Sequence, residues 1–212
     1  MGIHDRDYWR GSSERSPLAF VFRSAVGTLI AVNVAVWIVQ VVGGPLVTEV
    51  LVASPEAIAS LRLWTLVTAA FAHSGDSVWH LAWNMLFLYF FGRELEAIYG
   101  RRELTVFYLA ASVVSIAAEV AVHWIAGELG ARVLGASGAV MGVVVLFTLF
   151  YPNRQILFMF FIPMPVWALC ILFVLQDILG LVGGSSNGVA NMAHLAGAAV
   201  GLVYGLLDLR AL

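Results

Sequence analysis

Six apolar runs leave this chain few folds to choose from. They cover residues 21–42, 80–98, 104–126, 137–151, 156–182 and 189–209, and turn-forming or charged residues separate them. Of all residues 61% are hydrophobic and 11% are charged, whereas a soluble domain carries about 25% charged residues. One soluble core cannot absorb that much apolar surface. The expected fold is all-α: a polytopic membrane protein with six transmembrane helices around a short central helix that carries Ser137. Residues 1–20 and 210–212 read as tails. Residues 21–209 read as one membrane domain, with 43–79 as a first loop lying in the outer interface and Trp64 as its anchor.

The remaining composition excludes several function classes. The net charge is −2 and no basic run of the nucleic-acid-binding kind occurs. The single Cys170 has no disulfide partner and no metal-ligand neighbours. No metal or other cofactor is expected. Met1 to Pro17 is polar and lacks the apolar core of a cleavable signal peptide.

Arginine placement sets an orientation. With six spans and a cytoplasmic N-terminus, nine arginines (Arg6, Arg10, Arg15, Arg23, Arg93, Arg101, Arg102, Arg154 and Arg210) fall inside and two (Arg62 and Arg132) outside. The positive-inside rule therefore puts both termini in the cytoplasm. The fourth run is short, roughly 22 Å as a helix against a hydrocarbon core of about 30 Å. Its outer end then starts below the membrane surface. The non-helical stretch 127–136 must dip inward, which is tolerated only where protein surrounds it or water reaches it. A wet cavity with Ser137 at its floor is expected.

Ser137 lies in Gly135-Ala136-Ser137-Gly138, with Gly142 four residues beyond Gly138. In the sixth run His194, Gly197, Gly201 and Gly205 share one helix face. Packing this stripe against Gly138 and Gly142 brings an imidazole to a hydroxyl, the pairing that activates a serine nucleophile. His80 and Asn84 share a face at the outer end of the second run. They offer donors for an oxyanion, or else a polar clasp between helices. All four residues fall in one outer layer once the orientation is set. Glu119 and His123 read as a buried hydrogen-bonded clasp. Asp177 reads as a cap or polar contact near an outer loop more than as an orienting acid for His194. Glu96 and His73 read as structural.

Taken together, these residues resemble the rhomboid intramembrane serine proteases, over roughly Leu63 to Gly205. Gly135–Gly138 with Gly142 is similar to the family's nucleophile motif, His80 through Asn84 to its His-x-x-x-Asn oxyanion motif, and His194 through Gly197 and Gly201 to its base helix. Thr65 follows Trp64 where many members have Arg, and Met141 stands where many have an aromatic residue under the histidine. The resemblance is to the bacterial six-helix type. It implies a Ser137–His194 dyad without an acid, with the Ser137 backbone N–H joining His80 and Asn84 at the oxyanion. It implies substrates that are single-span membrane proteins cut near the outer interface, with transmembrane segments and lipid as partners. A multi-pass protein of a bacterial plasma membrane is the expected setting. The fifth run and the loop 183–188 are expected to act as a lateral gate and cap. A catalytically inactive membrane-protein binder and a transporter using the same polar layer are the alternatives; the oligomeric state stays open.

Overall fold

The structure is a computed structural model and describes residues 23–75, 77–158, 161–183 and 190–208. The two tails, with Arg6, Arg10, Arg15 and Arg210, and loop positions 184–188 lie outside the described residues. Eight helices and one β-hairpin lie among the described residues. In chain order they are α1 (Ala25–Leu51), α2 (Pro55–Ala59), α3 (Thr65–Thr68), α4 (Val78–Tyr99), α5 (Arg101–Ala126), α6 (Ser137–Phe150), β1 (Gln155–Phe158), β2 (Ile162–Pro165), α7 (Val166–Val182) and α8 (Asn191–Leu206).

Helix α6 is the axis of the bundle. Every residue from Gly138 to Phe147 is buried, as a helix apolar all round requires. The outer helices instead expose large apolar side chains such as Val42, Leu46, Ile125 and Val182. Such surfaces suit lipid rather than water. By length and composition α1 and α5 are each able to cross a membrane, while α6, α7 and α8 are shorter apolar helices.

Two expected boundaries move, each for a local reason. The first helix runs past Val42 to Leu51, bending at Gly44, whose φ of 69° breaks the helical path just before Pro45. The fifth helix starts at Val166, not Ile156. Gln155–Phe158 and Ile162–Pro165 pair as antiparallel strands, with Ile156 opposite Met164 and Leu157 opposite Pro163. Pro163 and Pro165 lack the N–H that a helix interior needs, and each pushes its predecessor toward extended backbone.

The first loop is a packed unit. Ala53 and Val133 exchange backbone hydrogen bonds (3.0 and 2.8 Å), and the Gly135 amide donates to the Ala69 carbonyl (2.9 Å). Ala53, Ala69, Ala70, Ile116, Val120 and Val133 form a small core there. Thus the part of the irregular stretch next to α6, Val133 to Ala136, is held by protein, while Gly127 to Gly130 and Arg132 are exposed. Trp64 is half-exposed and its indole N–H donates to the Val50 carbonyl (3.1 Å). Glu96 serves α1: its carboxylate accepts from the Ala25 and Val26 amides (2.7 and 3.0 Å) and from the Ser24 hydroxyl (2.7 Å). These are amides that a helix start leaves without partners.

The arginines sort by end. Arg132 pairs with Glu49 (2.8 Å) and Arg62 donates to the Glu49 carbonyl (3.1 Å) at one end of the bundle. Arg154 reaches Glu94 (3.5 Å) at the other.

Helices α6 and α8 touch backbone to backbone. A Cβ added at Gly197 would collide with the Gly138 carbonyl, and one at Gly201 with the Gly142 carbonyl. A Cβ at Gly142 would sit 2.9 Å from the Gly197 carbonyl oxygen. Gly205 behaves differently, facing the side chains of Leu146 and Leu149. Gly197→Ala should therefore cost about 1–3 kcal/mol through overpacking against an immovable carbonyl. Gly205→Ala should cost less, because leucine side chains can shift. Thermal melts of both variants in micelles check the order.

His73 is fully buried in the loop before α4. Gln40 clasps its backbone, accepting from the amide (2.9 Å) and donating to the carbonyl (3.2 Å). Burial above all, then the neighbouring His80 ring, lowers the His73 pKa to about 4, against the opposing pull of the Phe71 carbonyl. The unfolded chain takes up this proton near pH 6.5. Stability from keeping His73 neutral is thus complete above pH 6.5 and is lost as pH falls toward 4, by about 3 kcal/mol. Unfolding measured between pH 7 and 4 should show this slope, and His73→Leu should flatten it.

Candidate active site

Ser137 is the first residue of α6, so its amide has no acceptor within the helix. The turn that delivers it depends on Gly135, whose φ is 120° and whose added Cβ would sit 3.0 Å from His80 Cε1. Any side chain there would be strained and would push the His80 ring away.

His194 lies in the first turn of α8. Its Nε2 is 2.8 Å from Ser137 Oγ. The glycine contact described above explains this distance: with the two backbones nearly touching, side chains one turn above the crossing must meet. Both residues are half-buried and line a cavity of about 450 Å³. His80 and Asn84 line the same cavity from α4, so the four residues singled out from the sequence share one space. The Asn84 amide donates to the His80 carbonyl (2.8 Å). A primary amide has two hydrogens, so this bond leaves one for a ligand. Met141 also lines the cavity, and it packs against Val145 and Ala198.

Two acidic residues sit differently from expectation. Asp177, read as a cap or loop contact, is buried in α7 at 2% exposure, with Oδ1 2.9 Å from His194 Nδ1. Helix α7 lies against α8, so a carboxylate on its inner face meets the imidazole before it meets any loop. Glu119, read as half of a clasp with His123, accepts from the Ala193 amide at 2.8 Å. It therefore holds the first turn of α8, one residue before His194. His123 keeps a longer contact with Glu119 (3.5 Å) and a closer one with Glu128 (2.7 Å). The signal for both acids was available: an ionisable side chain inside an apolar run requires an interior partner. Sequence spacing does not name that partner when it comes from another helix. No group of three or more metal-ligating side chains occurs among the described residues.

A larger cavity of about 690 Å³ adjoins the first and is more apolar. Trp83, Phe87 and Phe173 line both, and the Phe87 and Phe173 rings meet edge to face at 5.7 Å. This aromatic contact joins α4 to α7, and the hairpin residues Ile156, Leu157 and Phe158 wall the larger cavity.

A model of the Rhomboid domain matches residues 60–211. The chain is 36% identical over 156 residues to RHOMBOID-like protein 12, mitochondrial, of Arabidopsis thaliana, covering 67% of this chain and 45% of that protein. It is 31% identical over 148 residues to Rhomboid protein 1, mitochondrial, of Saccharomyces cerevisiae, covering 66% and 40%. It is 26% identical over 181 residues to Rhomboid protease GlpG of Pectobacterium atrosepticum, covering 85% and 61%. The chain spans about half the length of the curated relatives it matches. These relatives include proteins of mitochondria as well as of a bacterium, so the likeness does not single out the bacterial type. With most of its length matched and its helices placed as above, the chain belongs to the rhomboid family of polytopic membrane proteins.

Proposed function

We propose that this protein is an intramembrane serine endopeptidase of the bacterial six-helix type, which cleaves single-span membrane proteins near the outer interface. The observation that carries the reading is the 2.8 Å contact between Ser137 Oγ and His194 Nε2, made by two different helices within one cavity. Ser137 attacks the scissile carbonyl while His194 takes its proton and then delivers it to the leaving amine. Charge builds on the carbonyl oxygen. The Ser137 amide at the start of α6 receives it, aided by His80 and the remaining Asn84 hydrogen.

Helices α1, α4, α5, α6, α7 and α8 are the six spans of this reading. The arginine-bearing ends around Arg93, Arg101, Arg102 and Arg154 face the cytoplasm, with both termini, and the membrane is a bacterial plasma membrane. The substrate's transmembrane segment enters between α4 and α7, where the two cavities share a wall of three aromatic residues. It must unwind locally, because a helix keeps its carbonyls bonded.

Purified protein in detergent, incubated with a single-span substrate, should yield a discrete cut. Ser137→Ala and His194→Ala should abolish it, and Asn84→Ala should lower kcat by about 10²–10³. An inactive binder or a transporter would show no cut with the unaltered protein, and a cut that survives Ser137→Ala would remove the serine mechanism. Joining Phe87→Cys to Phe173→Cys with a short cross-linker should stop cleavage of membrane-embedded substrate. Full activity in the cross-linked protein would exclude entry between α4 and α7.

A further inference from the structure

Asp177 is the one charged side chain on helix α7, and it is 2% exposed. Burying such a group is costly unless it is paired. Its partner is His194 Nδ1, at 2.9 Å. The position is set by more than this contact. Gly180, one turn after Asp177, lies so close to Asn191, one turn before His194, that an added Cβ would sit 2.5 Å from the Asn191 amide nitrogen. The two pairs, 177 with 194 and 180 with 191, are successive rungs of one antiparallel α7–α8 contact. The carboxylate therefore arrives at the imidazole by helix packing rather than by loop conformation.

We propose that Asp177 is a positioning residue that fixes the tautomer and ring orientation of His194, so that the site works as a Ser–His–Asp relay of contacts rather than as an isolated dyad. This rests on the protease reading above and deepens it. An ionised carboxylate only accepts hydrogen bonds, so the nitrogen facing it carries the imidazole proton. A neutral imidazole has one N–H. With that proton on Nδ1, Nε2 keeps its lone pair and accepts from the Ser137 hydroxyl 2.8 Å away. In the opposite tautomer Nε2 would carry hydrogen and could not act as the base. When the hydroxyl proton moves to Nε2 as the serine–carbon bond forms, the imidazolium that results faces a carboxylate instead of lipid. Asp177 keeps its charge throughout and takes no proton. The other titratable groups near the ring are His80 of α4, which shares the cavity, and Glu119 of α5, which is engaged by the Ala193 amide.

The test combines kinetics with the ¹⁵N spectrum of histidine-labelled full-length protein in micelles. The His194 signal is assigned by its loss in His194→Gln. In the unaltered protein it should report the Nδ1–H tautomer. Asp177→Asn and Asp177→Ala should lower kcat by about 10²–10⁴, the range spanned by general-base catalysis and by loss of a triad acid, with KM nearly unchanged. They should also lose the single tautomer, and Asp177→Glu should recover part of both. An Nε2–H signal in the unaltered protein overturns the proposal, and this measurement needs no variant at position 177 to fold. Unchanged kcat in both variants overturns it as well. So does lowered kcat with the Nδ1–H signal retained, which would make Asp177 merely structural. If Ser137→Ala still cleaves, the protease reading itself fails, an outcome separate from all of these.

Discussion

Two stretches of bare backbone pressed together govern this protein. Gly138 and Gly142 of α6 lie against Gly197 and Gly201 of α8 so closely that no side chain fits between them. Between membrane helices there is no hydrophobic driving force, since lipid is as apolar as leucine, and tight van der Waals contact takes its place. The Ser137–His194 contact follows from that packing. Ser137 and His194 stand just beyond the crossing, one at the start of α6 and the other in the first turn of α8, and their separation is inherited from the helices beneath them.

Helix starts inside an apolar bundle create a problem that the rest of the fold answers. The first amides of a helix have no partners within it, and at membrane depth water is scarce. Carboxylates supply acceptors at two helix starts, one from half-buried Glu96 and one from buried Glu119. Glu96 covers the beginning of α1, and Glu119 covers the first turn of α8. Each also places negative charge at the positive end of a helix dipole. The start of α6 is treated otherwise: the chain before it is stapled to the first loop through Ala53, Val133, Ala69 and Gly135, and no side chain caps it. In the proposed mechanism that omission leaves the Ser137 amide for substrate.

Helix α7 holds two relationships at once. It meets α4 through aromatic rings, a contact that can part without exposing a polar group. It meets α8 through Asp177 and through the close approach of Gly180 to Asn191. A rigid outward swing of α7 would break both. In the proposed mechanism, substrate entry and alignment of the histidine are thus mechanically linked through this one helix, which follows directly on the hairpin.

Much of this was legible in the residues alone. Apolar runs gave the helices, because hydropathy tracks what lipid accepts, and glycine spacing marked the face on which α8 meets α6. His80, Asn84, Ser137 and His194 were picked out as one layer, and they line one cavity. The error at the fifth run came from trusting apolarity over backbone chemistry, since Pro163 and Pro165 had already ruled out a helix there. Asp177 was noticed and given the wrong neighbour, and Glu119 was matched to His123 without its bond to the Ala193 amide. Periodicity relates residues on a single helix, while the partner of a buried charge is decided by which helix packs against it and at what height. Sequence by itself determined most of the helices and the pairing of hydroxyl with imidazole. Only the tertiary structure decided which carboxylate faces the imidazole and which one holds the helix that carries it, because those contacts depend on the rotation and axial offset of neighbouring helices.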